Sequence, residues 1–509
     1  MATNTNIGLG RSFYQKKDFS KALFHMQQAN RAEPRNVKVL LTMANCYLQL
    51  RDYRNAISVI EQVLKIDSKN DKLYFHLSNT YLRIGDIEKT IKTCAQALKL
   101  NPHELVYYLR LADAYEKTNE YGKALDIIYQ GLVQFPDDGY LHVLAARSER
   151  RTDKNSESLN RLKNLSPNES KLSPDCQVQY NFELGFSHDL NNNADLAFHH
   201  FTKANEIVRT LPPYQQVDTN HSLDLIHNLG KLNYTNIEKI IAFSRQTSPP
   251  VQPVFFVGFP RSGTTLLQKI LDSHKNINVI EENNPLGAVT SLIESDPGKY
   301  LNSSFLLNEK NIKELRDIYF KGAKEYVAID DGSVIIDKLP MNIVQVHIIK
   351  ILFPDAKLLL GLRHPCDVIL SCFMQNFAVN RAMANMFELK SIINFYAETM
   401  GLWKLFKSKI DFDSYSVRYE DLIENMEEEV RNLMQFLELP WDEEVMNYRQ
   451  NTFKRGFINT PSYSQVVKPI YKEARYRWHR YAKYFEPHFE QLKPHCDEFG
   501  YSLEVDDQA

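Results

Sequence analysis

The stretch VFFVGFPRSGTTLLQKILDSH, residues 254–274, decides the fold of the second half of this 509-residue chain. Its first five residues form an apolar run that predicts a buried strand, and TTLLQKILDSH predicts a helix. The turn between them presents backbone N–H groups at a helix N-terminus, which favours a phosphate or sulfate group. Gly258 and Gly263 have the spacing of the nucleotide phosphate-binding loop G-x-x-x-x-G-K-[ST], but Thr264 replaces its lysine. The loop therefore predicts an anion site whose cation is Arg261.

Apolar strands alternate with helices on both sides of this loop. Strands are predicted at 254–258, 278–280, 333–337 and 356–362, with helices around NIVQVHIIKILF and DVILSCFMQNF. Such alternation indicates a mostly parallel sheet that is covered by helices on both faces. We therefore predict an α/β domain over residues 253–500, preceded by a partly helical connector at 209–252.

The N-terminal part of the chain repeats with a period of 34 residues. Three columns of the repeat carry an aromatic, an acidic and a small residue: Phe13, Tyr47, Tyr81 and Tyr115; Asp18, Asp52, Asp86 and Glu120; and Ala22, Ala56, Thr90 and Ala124. This pattern resembles the tetratricopeptide repeat, in which each unit is a helix-turn-helix. We predict an all-α solenoid over residues 1–208, in which the register decays after Pro136 into a degenerate unit or a weakly helical loop.

Composition narrows the classes of partner and compartment. A net charge of -2 gives no overall argument for binding nucleic acid, and no apolar run reaches the roughly 20 residues of a membrane helix. The start MATNTNIGLGRS has no apolar signal-peptide core, and the six cysteines are scattered without a CxxC pair. We therefore expect a cytoplasmic protein with neither a nucleic-acid nor a membrane partner.

Polar residues follow three further predicted strands. Arg363 stands just past a strand in LLLGLRHPCDVILS, with Ser371 two turns into the next helix, and parallel sheets bind ligands at these carboxyl ends. Arg363 is either a second anion-binding cation or a surface salt-bridge partner. Glu281 and Glu282 are either reactive carboxylates or the charges of a solvated loop or a helix N-terminus. Lys338 is either a site residue or an exposed strand-end lysine.

Four motifs in order resemble those of the sulfotransferase superfamily, in particular the tyrosylprotein and the tetratricopeptide-linked sulfotransferases. They are FFVGFPRSGTTLLQKILDSH, DKLP, LGLRHPCDVILS and SYSQVVKPI with RYRW, and they lie within about residues 253–485. The resemblance implies a P-loop-like α/β domain whose sulfuryl donor is 3′-phosphoadenosine 5′-phosphosulfate (PAPS), used without a metal. It also implies a protein or peptide acceptor that is modified at a tyrosine hydroxyl, and the solenoid offers a concave surface on which such an acceptor would dock.

The same resemblance assigns roles to individual residues. The positions matching the 5′-phosphosulfate loop are Arg261, Ser262, Gly263, Thr264 and Thr265. Those matching the 3′-phosphate site are Arg363 and Ser371, and those matching further donor contacts are Tyr419, Ser462 and Arg477. Gln375 occupies the place of a family cation on the 3′-phosphate helix.

The resemblance further implies three catalytic residues for an in-line displacement at sulfur. Glu282 matches the general base that takes the acceptor proton, and Lys338 matches the lysine that stabilises the bridging oxygen. Ser462 would assist at the same oxygen.

Several alternatives stay open at the level of sequence. Asn283 and Asn284 stand where the tyrosylprotein enzymes have Thr-Arg, so a carbohydrate or small-molecule hydroxyl is a second candidate acceptor. Asp337 follows an apolar strand as the magnesium ligand of a P-loop kinase or NTPase would. A repeat scaffold on an inactive transferase domain is the third reading. The basic, aromatic segment 454–485 is either a nucleic-acid patch or a loop over the donor. The oligomeric state is open, with a homodimer as one possibility.

Overall fold

The computed structural model describes residues 2–296, 303–330, 332–450 and 475–505. The chain divides into two compact units, Met1–Cys176 and Gln177–Ala509. Each unit is built around its own hydrophobic clusters.

The first unit consists of paired antiparallel helices. Its helices are Ala2–Gln15, Phe19–Ala32, Val37–Gln49, Tyr53–Ile66, Asp71–Arg83, Ile87–Leu100, Leu105–Lys117, Tyr121–Gln134, Gly139–Arg151 and Asn155–Leu165, followed by the 3-10 helix Ser166–Lys171. From Phe19 to Tyr121 the second helix of each pair begins 34 residues after its predecessor, which confirms the repeat. The polar stretch after Pro136 also folds as a helix pair.

The repeated columns of the sequence explain why these helices begin where they do. Three of the four acidic residues cap the second helix of their repeat: the side chains of Asp18, Asp52 and Asp86 each accept a hydrogen bond from the backbone N–H three residues later, whereas Glu120 occupies the cap position without a side-chain hydrogen bond. The residue before the cap has a positive, left-handed φ in each of the five repeats: Lys17, Arg51, Gly85, Asn119 and Asp153. The small-residue column, which begins with Ala22, is fully buried and lets the paired helices approach closely.

The second unit contains a sheet of five parallel strands in the order β2-β3-β1-β4-β5. The strands are β1 (Val254–Gly258), β2 (Ile277–Glu281), β3 (Val334–Lys338), β4 (Leu358–Leu362) and β5 (Ser414–Arg418). The predicted α/β class with a parallel sheet is confirmed. The edge strand β5 is missing from the sequence prediction, because its SYSVR sequence is polar and only half buried.

Helices surround the sheet. Those of the second unit are Pro174–Leu190 (which begins just before it), Ala194–Thr210, Pro212–Gln215, His221–Leu229, Tyr234–Arg245, Thr264–Asp272, Pro285–Ser295, Ser303–Leu306, Glu309–Ala323, Val346–Leu352, Pro365–Phe373, Leu389–Lys409, Tyr419–Glu424, Met426–Phe436, Ala482–Phe485 and Phe489–Phe499. Short 3-10 helices lie at Pro340–Gln345, Met383–Met386, Glu443–Val445, Arg477–Tyr481 and Glu486–His488. We call Thr264–Asp272, which follows the glycine-rich turn, the loop helix.

Alternate residues of β1 enter separate hydrophobic clusters, as expected for a strand buried on both faces. Phe255 and Val257 belong to the larger cluster, whereas Val254 and Phe256 belong to the smaller one, which also contains residues of the loop helix. The continuous apolar run of β1 is therefore a consequence of burial on both sides.

The two helices that follow the division at residue 176 pack on the larger cluster of the sheet. Phe182, Phe201 and Val208 are buried there together with Phe255 of β1. The sequence predicts a solenoid over residues 1–208, but the first compact unit ends at residue 176. The last two helices of the predicted solenoid therefore pack with the sheet, although their sequence keeps some repeat-like positions. The functional domain boundaries stay a prediction.

Candidate functional site

Most predicted site residues in the described part of the chain lie at or just after the carboxyl ends of the five parallel strands, on the same side of the sheet. The glycine-rich turn follows β1, and Glu281 and Lys338 are the last residues of β2 and β3. Arg363 directly follows β4, and Tyr419 directly follows β5. Because β1 is the central strand, the turn that follows it lies between the ends of β2 and β3, which carry Glu281 and Lys338, and the ends of β4 and β5, which precede Arg363 and Tyr419.

The glycine-rich turn depends on backbone conformations that few residues adopt. Gly263 caps the loop helix with φ 84°, and a Cβ there would lie 2.7 Å from Cδ2 of Tyr419. Arg261 also has a positive φ, of 71°. Ser262 is buried, and its hydroxyl donates to the carbonyl of Phe259 at 2.7 Å. The turn is therefore tightly constrained before any ligand binds.

Thr264 and Thr265 begin the loop helix, and both are buried beneath the turn. As the first residues of the helix, their backbone N–H groups belong to the set that has no acceptor within the helix. This is the arrangement that an anion requires at a helix N-terminus.

The two predicted anion-binding motifs are in direct contact. Nε of Arg261 donates to Oγ of Ser371 at 3.0 Å, and Arg363 donates to the carbonyl of Arg261 at 3.5 Å. The guanidinium of Arg363 also lies 5.1 Å from the ring centroid of Tyr419. The fold thus brings two guanidiniums, a serine hydroxyl and a tyrosine to one place from three separate sequence motifs.

Glu282 and Lys338 form an ion pair on the other side of the loop. Oε1 of Glu282 lies 2.7 Å from Nζ of Lys338, whose side chain is fully buried while that of Glu282 is 30% exposed. Burial lowers the pKa of Lys338, and the Glu282 carboxylate opposes that shift. A buried cation therefore lies against a carboxylate that solvent can reach.

A second ion pair joins Lys269 of the loop helix to Glu281 at 2.9 Å. The side chain of Lys269 is only 7% exposed. Sequence reasoning missed this residue, although a lysine within the apolar run LLQKIL of a buried helix is a usable signal.

Arg477 contacts a buried carboxylate on a distant part of the sequence. Its guanidinium pairs with Asp189, near the end of helix Pro174–Leu190, and donates from Nε to Oδ1 at 3.2 Å. Arg480 and the hydroxyl of Tyr481 bind the same carboxylate at 3.0 and 2.6 Å. No local pattern in the sequence points to Asp189, because its partners lie almost 300 residues away.

Asp367 connects this C-terminal segment to the Arg363 side of the site. It accepts hydrogen bonds from the backbone N–H groups of Tyr476 at 2.7 Å and Trp478 at 2.9 Å, and lies 3.8 Å from Arg363. Burial raises the pKa of the Asp367 carboxyl to about 6. The backbone on both sides of Arg477 is therefore hydrogen-bonded to Asp367, which lies on the same helix as Ser371.

Ser462 lies outside the described residues. Within the described ranges, no three His, Cys, Asp or Glu side chains group in a way that suits a metal ion. No helix in the described part of the chain combines the length and apolar character needed to cross a bilayer.

Comparison with known families agrees with this geometry. Residues 253–443 match the sulfotransferase family model, and residues 13–77 and 71–104 match tetratricopeptide repeat models. The sulfotransferase match begins just before β1 and includes all five strands.

Similar proteins include a protein of Aquifex aeolicus (strain VF5) without an assigned function, 31% identical over 59% of this chain and 39% of its own length. Protein-tyrosine sulfotransferase A of Caenorhabditis elegans is 26% identical over 44% of this chain and 60% of its length. Protein-tyrosine sulfotransferase 1 of Homo sapiens is 24% identical over 44% and 62%. The chain thus spans less than two thirds of each relative. Residues 253–443 form a sulfotransferase-family domain, and tetratricopeptide repeats precede it in the chain.

Proposed function

We propose that this chain transfers a sulfuryl group from PAPS to the hydroxyl of a protein tyrosine. The observation that carries the proposal is the contact of Arg261 with Ser371 and Arg363, together with the ion pair that the buried Lys338 forms with Glu282 at the end of the neighbouring strands. Two guanidiniums and a helix N-terminus suit a donor with phosphate groups at both ends of its nucleoside. The charged pair suits proton transfer and charge stabilisation at the reacting centre.

In the proposed reaction the acceptor oxygen bonds to sulfur as the bond from sulfur to the bridging phosphate oxygen breaks. Glu282 takes the acceptor proton, and adenosine 3′,5′-bisphosphate leaves. Lys338 is buried against Glu282 and would offset the negative charge that develops on the leaving oxygen. Ser462 stays a candidate for the same task.

The donor-binding roles extend to the residues around the turn. Ser262, Gly263, Thr264 and Thr265 would hold the 5′-phosphosulfate together with Arg261, because they form the turn and the first residues of the loop helix. Arg363 and Ser371 would hold the 3′-phosphate. Tyr419, Ser462 and Arg477 are proposed as further donor contacts.

A specific observation weakens the kinase alternative. Asp337, the candidate magnesium ligand, is fully buried and accepts a hydrogen bond from the hydroxyl of Tyr319 at 3.1 Å. Burial raises the pKa of its carboxyl to about 7. Successive residues of a strand face opposite sides of the sheet, so Asp337 does not share the environment of Lys338.

The donor half of the proposal is tested by thermal denaturation with adenosine 3′,5′-bisphosphate and with ATP and magnesium. A ligand that binds only the folded state adds RT ln(1 + [L]/Kd), roughly 2.7 kcal/mol at a concentration of 100 Kd. We expect the bisphosphate to raise the Tm and ATP to raise it much less. Stronger stabilisation by ATP would favour a kinase or NTPase.

The acceptor half is tested by incubating the protein with sulfur-labelled PAPS and three acceptor classes. These are tyrosine-containing peptides, carbohydrates and small phenols, with matched phenylalanine peptides as the control. We propose that the repeats dock the peptide, so we expect label in the tyrosine peptides alone. Label in a carbohydrate instead would identify the second candidate acceptor, for which Asn283 and Asn284 are the supporting observation.

A further inference from the structure

Glu281, and not Glu282, is the register neighbour of Lys338 in the sheet. Residues paired in register on adjacent parallel strands carry their side chains on the same face. The Lys338 ammonium nevertheless bonds to Glu282, at 2.7 Å. An additional interaction must therefore hold the Glu281 carboxylate away from this buried cation.

Lys269 provides that interaction. Its ammonium lies 2.9 Å from Oε2 of Glu281, and both side chains are largely buried, at 7% and 20% exposure. The other carboxylate oxygen of Glu281, Oε1, is buried without a hydrogen-bond partner among the described residues. The Glu281 carboxylate therefore depends on Lys269 for compensation of its charge.

The backbone turn at Glu282 completes the arrangement. Its backbone N–H donates to the carbonyl of Lys338 at 2.9 Å, and its φ is 47°, in the left-handed region. This conformation turns the chain directly after β2, which lets Glu282 reach the ammonium that would otherwise belong to its neighbour. The result is two adjacent ion pairs, Lys269–Glu281 and Lys338–Glu282.

The four charges are coupled to one another. Burial holds the pKa of Lys338 below its ordinary value, the carboxylates of Glu282 and Glu281 raise it, and Lys269 lowers it. Lys269 thus offsets the effect of Glu281 on Lys338, as well as binding Glu281 directly.

We propose that Lys269 is a positioning residue for sulfuryl transfer, which occupies Glu281 and so reserves Lys338 for Glu282. The inference rests on the catalytic roles proposed for Glu282 and Lys338. Without Lys269, two adjacent carboxylates compete for one buried ammonium. Glu282 then loses its fixed partner in a fraction of the molecules, and Lys338 is drawn from the reacting centre.

The test is the full-length variant Lys269→Met, assayed with PAPS and an acceptor that the wild-type protein modifies. We expect kcat to fall roughly tenfold, since one charge-assisted hydrogen bond changes an equilibrium by about that factor. The alkaline limb of the pH–rate profile should move to higher pH, because Lys269 lowers the pKa of Lys338 and its removal takes that effect away. The affinity for adenosine 3′,5′-bisphosphate should change little.

The double variant Lys269→Met with Glu281→Gln supplies a rescue. Removing the competing carboxylate makes Lys269 unnecessary, so kcat and the pH–rate profile should return close to wild type. Lys350→Met is the matched control for losing a buried lysine, since Lys350 is 2% exposed and donates to the carbonyl of Ala356 at 3.0 Å. This control should lower the Tm without moving the pH–rate profile.

The outcomes separate the two proposals. If the wild-type protein neither binds the bisphosphate nor transfers sulfate, the proposed function is wrong. If the wild-type protein transfers sulfate but Lys269→Met keeps its kcat and pH–rate profile, Lys269 has no positioning role. A loss that the double variant does not rescue, with a lowered Tm, would also overturn the inference, because it would assign Lys269 to stability alone.

Discussion

Replacing Glu282 with Gln keeps the side-chain volume and removes the proton acceptor of the proposed reaction. General-base assistance is typically worth about 10²–10⁴-fold in rate, or roughly 3–5 kcal/mol of transition-state stabilisation. The single-turnover rate of sulfuryl transfer should fall by that factor. The affinity for adenosine 3′,5′-bisphosphate should barely change, because the carboxylate bonds to Lys338 and not to the glycine-rich turn.

The same substitution has an effect on stability that the structure makes calculable. Lys338 is fully buried, and the substitution removes its ionic partner at 2.7 Å. The amide oxygen of Gln can still accept the hydrogen bond from the ammonium. A hydrogen bond to a charged group is worth roughly 1.5–3 kcal/mol, and the 30% exposure of Glu282 puts the expected loss at the lower end of that range. The folded fraction must therefore be measured alongside the rate.

The pH dependence of the residual activity of Glu282→Gln gives an independent test. Burial lowers the pKa of Lys338 and Glu282 raises it, so removal of Glu282 should lower that pKa further. If Lys338 must be protonated to stabilise the leaving oxygen, the alkaline limb of the residual activity should move to lower pH.

The assay is single-turnover transfer from labelled PAPS at saturating acceptor, with bisphosphate affinity measured by calorimetry. Glu281→Gln is the matched control. Because Glu281 pairs with Lys269, this substitution should lower the transfer rate far less. A near-normal single-turnover rate in Glu282→Gln would place the base elsewhere, with Glu281 the next candidate. A loss confined to bisphosphate affinity would also refute the assignment.

Three further predictions concern regions outside this pair. Asp189→Asn removes the carboxylate that binds Arg477, so bisphosphate affinity should fall roughly tenfold by calorimetry, the value of one charge-assisted contact. Deleting residues 1–173 should preserve bisphosphate binding, whereas deleting 1–210 should lower the Tm sharply, because the latter removes two helices from the sheet core. Asp337→Asn should stabilise the protein above pH 7. The pKa of the Asp337 carboxyl is about 7 in the folded protein against an ordinary 3.8, so the stability of the wild-type protein falls as pH rises through that interval. Chemical denaturation of both proteins at pH 5 and pH 8 measures the difference.

Each of these has its own control. Asp195→Asn removes an exposed carboxylate that pairs with Lys483 at 2.5 Å and should leave bisphosphate affinity unchanged; an equal loss in both variants would contradict the role given to Asp189. Equal melting temperatures for the two deletions would show that the helices after residue 173 are dispensable. A wild-type stability that is flat between pH 5 and pH 8 would remove the basis for the Asp337 prediction.

Local features of the sequence determined much of this fold. Apolar runs located four of the five strands, because β1, β3 and β4 are buried along most of their length and β2 buries Ile277 and Ile280. The 34-residue period located the paired helices. The glycine spacing identified the anion loop, because the required backbone conformation at Gly263 is a property of a few adjacent residues. Motif order then indicated the family. These features are short-range, so they can be read without knowing which segments meet.

Only the tertiary structure decided which charges pair. The sequence placed two carboxylates after the predicted strand 278–280 and a lysine after the predicted strand 333–337, but it did not indicate that Lys269 binds Glu281 while Lys338 binds Glu282. It also left Asp189 unconnected to Arg477, 288 residues later. Ion pairs depend on distances of a few ångströms between side chains that the fold brings together, and such distances follow from strand order, register and helix packing, which no local pattern of residues encodes.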